Sequence, residues 1–274
     1  VLNGMYATVA LSSIGKPASP AGDGPDGIGG YTDRFPEEYG KNLQTTSFPN
    51  ESLLASTFNK DLMRTRGEQI GEEGLYLGVV EVWGPGANLH RTPFGGRSFE
   101  YFSEDANMNY LCASPIVQGV ESKGVHSGPK HLAGNDQEVN RQGIANFFNE
   151  QAFREGALRG LEGGVAVGEA QSLMQAFNRL GFIGCSLSEA LNKTVVRDEW
   201  GYQGHIETDA IGTSSTGYKA AFTTMLAAGT DSFCLDTQRQ TPTAIATAIT
   251  ENDDGYLLGE LRRAAKNILY NDAN

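Results

Sequence analysis

Apolar residues recur at helical spacing in several stretches of the chain, with short extended runs between them. From Leu53 to Ile70 the positions Leu54, Phe58 and Leu62 repeat every four residues, which predicts one helix with a single buried face. Gly71 and Gly74 are expected to end it, and Leu75 to Trp83 then reads as a short apolar strand running into Gly84-Pro85-Gly86. A long loop from Ala87 to about Asn107 follows, then a helix through Ile116 and Val120 and a strand near Val125. Phe153, Ala157 and Leu161 stripe another helix, with Glu155 and Arg159 as an i,i+4 pair on its outer side. Leu173 to Phe177 is the next strand. Ser186 and Glu189 fit a capping box for the helix carrying Leu187, Leu191 and Val195, which ends before Gly201. His205 to Asp209 is extended, Ala221 to Ala228 helical and Asp231 to Leu235 extended. Thr241-Pro242 opens a helix with proline at its first position, and a last helix carries Leu257, Leu261, Ala265, Ile268 and Leu269.

Strand and helix thus alternate at least five times with short connections, which predicts parallel strands covered by helices. A doubly wound open sheet and a closed barrel both satisfy the pattern, and 274 residues favour the barrel. The expected fold class is α/β, a (β/α)8 TIM-type barrel with room for an irregular or incomplete first β/α unit. Residues 1–274 are expected to form one domain, since no repeat, low-complexity tract or charged linker divides them. The first 50 residues are loop-like and dense in Gly and Pro, as in Ala21-Gly22-Asp23-Gly24-Pro25-Asp26-Gly27. No Gly-x-Gly-x-x-Gly turn opens a helix after the first strand, and no phosphate-cradling Gly-x-x-x-x-Gly-Lys-Ser/Thr loop is present, which removes the main support for nucleotide chemistry.

Composition narrows the partners. The chain carries 21 basic and 33 acidic side chains, a net charge of −12, and its pI is about 4.8. Nucleic-acid readers need clustered Lys and Arg that this balance does not supply. No stretch approaches the ~20 apolar residues of a spanning helix, and Val1 opens without a charged secretion start, so no membrane partner is expected. The missing initiator Met suggests a processed chain or an excised domain, and the compartment, cytoplasmic or secreted, stays open. Glycine is abundant, 35 residues, which implies many tight turns. Cys112, Cys185 and Cys234 are too scattered for a disulfide framework or a closed zinc site and read as small core residues. Sequons at Asn50 and Asn192 are weak signals in a chain rich in Asn, Ser and Thr.

In a barrel the active site lies at the C-terminal ends of the strands. Three such places carry chemistry. One is Gly128-Pro129-Lys130-His131-Leu132-Ala133-Gly134-Asn135-Asp136; the second is Gly204-His205-Ile206-Glu207-Thr208-Asp209-Ala210; the third is the loop after Trp83 with Arg91, Arg97, Glu100, Glu104 and Asp105. Each has a plainer reading: a strand-end Asp often caps a helix or pairs with a cation, Lys130 has Glu138 nearby as a partner, and His131 suits a satisfied core position. Converging on one rim, they would grip sugar hydroxyls beside a reactive carboxylate.

These segments resemble glycoside hydrolase family 3, specifically its catalytic barrel domain, over nearly the whole chain. Asp23-Gly24-Pro25-Asp26-Gly27, then Gly84-Pro85-Gly86-Ala87-Asn88 and Gly96-Arg97-Ser98-Phe99-Glu100-Tyr101-Phe102-Ser103-Glu104-Asp105, look like the family's early loop and signature segment. Lys130-His131 with Gly134-Asn135-Asp136-Gln137-Glu138 and Asn140-Arg141, Met174 with Phe177-Asn178-Arg179, Arg197-Asp198-Glu199-Trp200-Gly201, Thr208-Asp209 and Ala228-Gly229-Thr230-Asp231 complete the order. The resemblance implies a retaining β-glucosidase that releases terminal non-reducing β-D-glucosyl residues from glucosides or oligosaccharides, with no metal and no organic cofactor. It makes Asp209 the nucleophile that forms a covalent glycosyl-enzyme, and places Asp23, Arg97, Lys130, His131, Arg141 and Met174 around the bound sugar. Neighbouring Lys and Arg are expected to lower the pKa of Asp209. In the family the acid/base Glu usually comes from a separate α/β sandwich domain, which is expected to be absent from this chain; its start at Val1 and its finish at Ile268-Leu269-Tyr270-Asn271 resemble the variant in which the sandwich precedes the barrel. Glu207, two residues before Asp209 on the same strand face, is the alternative acid, against a buried structural carboxylate.

Three departures bear on the sugar. Ala210 stands where the family often has Trp, Phe177 where it often has Tyr, and no Arg follows Gly27. The Lys-His-x-x-Gly-Asn pattern also differs from the longer His-containing loop of the N-acetylglucosaminidase branch. β-Xylosidase or another exo-β-glycosidase is the enzymatic alternative, and a non-catalytic sugar-binding barrel the alternative of another class; a homo-oligomer is left open.

Overall fold

The computed structural model describes residues 3–4, 7–29, 44–210, 221–234, 240–251 and 253–273. Six of the short strands among the described residues follow one another in parallel in chain order: β1 (Ser19–Asp23), β2 (Glu81–Trp83), β3 (His126–Ser127), β4 (Ser172–Met174), β5 (His205–Thr208) and β6 (Ser232–Phe233). Ala21 faces Glu81, Glu81 faces His126, His205 faces Ser172 and Glu207 faces Ser232 in parallel register. A single parallel bridge, Leu132 to Gln175, joins the chain just past β3 to the chain just past β4. Each strand therefore neighbours the next one in sequence. The outer edge of β1 carries an antiparallel ribbon of Asn3–Gly4 and Ala7–Thr8. Among the described residues the sheets are small and open, so the architecture established is α/β with consecutive parallel strands.

Helices return the chain between strands: α1 (Glu51–Ala55), α2 (Lys60–Leu77), α3 (Ala106–Glu121), a helical run from Glu150 to Val167 with π-type turns over Phe153–Ala157 and Gly163–Val167, and α5 (Ala190–Glu199), also π-wound. The Glu150 run is α4; α6 (Phe222–Ala227), α7 (Gln240–Glu251) and α8 (Gly255–Ala273) complete the set. Leu132, Leu161, Leu173, Leu191, Val196 and Ile206 pack together as the main core between strands and helices. No helix among the described residues is long and apolar enough to cross a membrane.

The predicted helix over 53–70 is two helices. Asn50 and Asn59 each cap one, accepting the amides of Leu53 at 2.8 Å and Leu62 at 3.0 Å. Between them Phe58 adopts φ 51° and is 79% exposed, so of the four-residue stripe Leu54 faces the core while Phe58 and Leu62 do not. Gly71 and Gly74 do not end α2 either. Gly67 and Gly71 lie where α3 approaches, a Cβ on Gly67 standing 2.2 Å from the Ile116 carbonyl oxygen, and Gly74 packs against Val125 and Ile28. The helix ends at Gly78, φ 73°, in the left-handed C-cap that glycine favours. The strand after it shrinks to Glu81–Trp83 because Leu75 and Tyr76 belong to the exposed side of α2.

Other local expectations shift too. Ser188, not Ser186, caps α5, accepting the Leu191 amide at 3.3 Å, while the buried Ser186 gives its carbonyl to Thr230 Oγ1 at 3.0 Å. Arg159 pairs with Glu162 at 2.7 Å rather than with Glu155. β1 lies inside the stretch expected to be loop, because Ser19-Pro20-Ala21-Gly22-Asp23 has no apolar alternation to betray it. Leu235, the expected end of the sixth strand, lies outside the described residues. All three cysteines are free and buried, as expected of core residues. Asn192 is fully buried, its amide bonded to the Cys185 carbonyl, which removes one sequon from the surface.

Asp231, fully buried just before β6, locks the last third of the fold. It accepts Arg197 Nη2 at 2.6 Å, the Ile206 amide at 2.9 Å, Arg263 Nη1, and Asn267 Nδ2 at 3.2 Å. One carboxylate thereby ties β5, α5 and α8 together.

Candidate active site

The C-terminal ends of the parallel strands converge on one cavity of about 280 Å³. Asp23 ends β1, Trp83 ends β2, Met174 ends β4, Asp209 follows β5 and Cys234 follows β6; Lys130 and His131 come three and four residues after β3. The loops after β2 and β3 add Arg97, Glu138 and Arg141. All seven residues singled out from sequence, Asp23, Arg97, Lys130, His131, Arg141, Met174 and Asp209, line this cavity. Arg91, Glu104 and Asp105 do not. Arg91 pairs with Asp136 at 3.2 Å, and Asp105 caps α3 through the Met108 amide at 2.7 Å.

Asp209 reaches the cavity from the end of a fully buried strand. Its Oδ1 accepts the Ala210 amide at 2.7 Å, and its Oδ2 is buried without a hydrogen-bond partner among the described residues, 3.6 Å from His131 Nε2. Burial raises its pKa above the usual carboxylate value; the Ala210 amide, Arg141, Lys130 and Arg97 oppose the rise without cancelling it. Desolvation wins here over the cations that were expected to hold the group low.

Lys130 is buried at the cavity wall, its Nζ 2.6 Å from Asp23 Oδ1 and 3.1 Å from Glu100 Oε1. Burial opposes its charge, yet Asp23 and Glu100 push its pKa up. The expected partner Glu138 pairs elsewhere, with Arg141 at 3.0 Å and Arg97 at 3.8 Å. Glu100 takes both arms of Arg97 at 2.5 Å, and Lys130 with Arg97 holds it below the ordinary range against the opposing effect of burial. His131 is driven the other way: burial first, then Arg97, Lys130 and Arg141, keep the imidazole neutral. Cys234 is no second nucleophile, because burial holds its thiol well above the usual value.

Glu207 does not line the cavity and is 1% exposed. Burial, then Glu81, raise its pKa well above the usual value. Glu81, His205 and Glu207 form, among the described residues, the one group with metal-ligand spacing, their ligand atoms within 4.8 Å of one another. The proton arrangement argues against an ion. Asn271 Nδ2 donates to the Gln171 carbonyl and, at 2.6 Å, to His205 Nδ1, so the ring proton sits on Nε2, facing Glu81 Oε2 at 3.5 Å. A nitrogen that carries a proton offers a metal no lone pair. The cluster is a buried proton-sharing network beneath the cavity.

Residues 25–261 match the glycosyl hydrolase family 3 N terminal domain.

The chain belongs to glycosyl hydrolase family 3.

Among curated members, a β-glucosidase of Ruminococcus albus is 34% identical over 266 residues, 94% of this chain and 27% of the relative. An exo-α-(1→6)-L-arabinopyranosidase of Bifidobacterium longum is 34% identical over 73% of this chain and 27% of its own length. β-Glucosidase 3B of Thermotoga neapolitana, solved with glucose, superposes with a TM-score of 0.86 at 34–35% identity, covering 96% of this chain and 36% of that one. The chain spans about a quarter of the curated relatives it matches. Glu100, a candidate in the loop after Trp83, does belong beside the site, whereas Trp83 and Tyr101 were not singled out from sequence. Their signal was position, since Trp83 ends a strand and Tyr101 sits four residues past Arg97.

Proposed function

We propose that this family 3 domain carries the nucleophile of a retaining β-glucosidase that hydrolyses terminal non-reducing β-D-glucosyl residues of glucosides and oligosaccharides. The observation that supports it is a buried, unpartnered carboxylate oxygen, Asp209 Oδ2, beside a neutral imidazole in a cavity rimmed by Asp23, Lys130, Arg97 and Arg141. The strands are the consecutive core of a (β/α)8 barrel, and residues 1–274 act as one domain. The likeness to β-glucosidase 3B of Thermotoga neapolitana at a TM-score of 0.87 supports that closure.

In this reading Asp209 Oδ2 attacks the anomeric carbon as the leaving oxygen takes a proton, giving a glycosyl ester; water then cleaves the ester and the sugar departs with retained configuration. Asp23, Lys130, His131, Arg97 and Arg141 hold the sugar hydroxyls, and Met174 packs under the ring. A retaining pair of carboxyl groups stands about 5 to 5.5 Å apart. The other carboxylates in the cavity, Asp23 and Glu138, are ion-paired to Lys130 and Arg141, and Glu207 lies beneath it. The family resemblance assigns the acid/base group to a separate α/β sandwich domain of the same enzyme.

The test is incubation of the full-length protein with a 2-deoxy-2-fluoro-β-glucoside, then peptide mass analysis. A label on Asp209 is expected; a label elsewhere, or hydrolysis surviving Asp209→Ala, overturns the proposal, and sugar binding with no adduct would make it a binding domain. Ala210 leaves one wall of the cavity without an aromatic ring, and the arabinopyranosidase relative favours a second reading in which another pyranoside is cleaved. Comparing nitrophenyl β-glucoside, β-xyloside and α-L-arabinopyranoside decides between them.

A further inference from the structure

We infer that Tyr101 and Asn135 lock His131 in the Nε2–H tautomer, so that its ring is a permanent hydrogen-bond donor facing Asp209. The catalytic part of this inference rests on the β-glucosidase reading; the tautomer itself does not. Glu138 is an acceptor-only carboxylate paired to Arg141. It takes Asn135 Nδ2 at 3.0 Å, which fixes which end of the amide carries the nitrogen. The second hydrogen of that nitrogen goes to the Tyr101 hydroxyl at 3.0 Å. Tyr101 is buried, and burial keeps its phenol protonated. Its hydroxyl proton then has one acceptor among the described contacts, His131 Nδ1 at 3.2 Å. A ring nitrogen that accepts is unprotonated, so the proton of the neutral imidazole sits on Nε2, the atom 3.6 Å from Asp209 Oδ2.

The competing arrangement would protonate Nδ1 and direct it at Asn88 Oδ1, 3.3 Å away. That oxygen already accepts the His131 backbone amide at 2.9 Å. Protonating Nδ1 would also strand the Tyr101 proton in a buried site without an acceptor among the described contacts. It would further set the Nε2 lone pair against the Asp209 carboxylate. Tyr101 and Asn135 are thus positioning residues: they touch neither the nucleophile nor the cavity's occupant, and act through the direction of one proton.

The test is the tautomer. In full-length protein labelled with 15N at histidine, two-bond proton–nitrogen correlations report which ring nitrogen is protonated, and the His131 signals are those lost in His131→Gln. Wild type is expected to show Nε2–H. Tyr101→Phe keeps the ring and removes the donor, so His131 is expected to switch to Nδ1–H toward Asn88, kcat/KM to fall about 10–100-fold, and the acidic limb of the rate profile to move to higher pH. A wild-type ring protonated at Nδ1, or a Tyr101→Phe ring still protonated at Nε2, overturns the inference. Should Tyr101→Phe not fold, the wild-type tautomer alone decides. Because the signals are read without substrate, failure of the β-glucosidase reading appears separately, as absent hydrolysis with the tautomer intact.

Discussion

Asp209 Oδ2 lies 3.6 Å from His131 Nε2 and has no hydrogen-bond partner among the described residues, while Oδ1 is held by the Ala210 amide at 2.7 Å. One oxygen is anchored and the other is presented. That asymmetry suits a carboxylate that must attack through a single atom, and it comes with a pKa raised by burial.

A pH dependence follows from that direction. Asp209 ionises above the ordinary value of about 3.9, and the attacking form disappears as pH falls through the raised value. The acidic limb of kcat/KM is expected above pH ~4, and Arg141→Met, which removes an opposing cation, should move it further up. A limb at or below ~3.9 in wild type, measured with a fluorogenic glucoside, contradicts this assignment.

Removing the charge should cost activity and add stability. Asp209→Asn is expected to lower kcat by roughly 10⁴-fold or more. A carboxyl whose folded pKa is raised stabilises the fold fully below its unfolded pKa and loses that contribution as pH rises through the folded pKa. The neutral amide escapes the loss, so the melting temperature of Asp209→Asn should exceed wild type at pH 7 and match it near pH 3. Glu207→Gln should behave the same way in thermal melts and still accept the fluoroglucoside label.

Lys130 is the buried countercharge of Glu100 and Asp23. In Lys130→Met the buried Glu100 keeps Arg97 but loses its second cation. The expected cost is about 3 kcal/mol in urea unfolding, together with a raised KM. Unchanged stability would show that Arg97 alone suffices.

Asp231 makes a separate, structural prediction. Asp231→Ala leaves Arg197 and Arg263 facing each other at a buried junction. A loss of about 3–5 kcal/mol is expected, large enough that little folded protein would be recovered; a loss under about 1 kcal/mol would mean the junction carries no stability.

Glycines should divide into two kinds. Gly67→Ala drives a methyl into the Ile116 carbonyl across the α2–α3 contact and should destabilise by about 1–3 kcal/mol. Gly259→Ala, exposed inside α8 with nothing within 4 Å of the new Cβ, should stabilise by about 0.5–1 kcal/mol. Equal effects in denaturant titrations would remove the packing explanation.

Most of the alternation of strands and helices was legible in the chain itself. Local patterns put Lys130-His131 and Asp209 at strand ends and Arg97 in a loop after a strand; that they gather with Asp23, Arg141 and Met174 around one cavity came from the resemblance to family 3 segments. Phe58 misled because periodicity reports spacing and not which face a helix turns inward; a positive φ at that residue restarts the helix. β1 was hidden because its burial comes from β2 beside it and not from its own side chains. Gly71 and Gly74 read as terminators because their use, the close approach of Val120 to one and of Val125 and Ile28 to the other, involves residues more than 40 positions away. Lys130 was given to Glu138, eight residues on, and chose Asp23, 107 residues back. Residue type and local spacing determined which groups were available for chemistry. Pairing, tautomer and the direction of each pKa shift were decided only by tertiary structure, because burial and electrostatic energy depend on distance in space and on the water excluded there, neither of which is written along the chain.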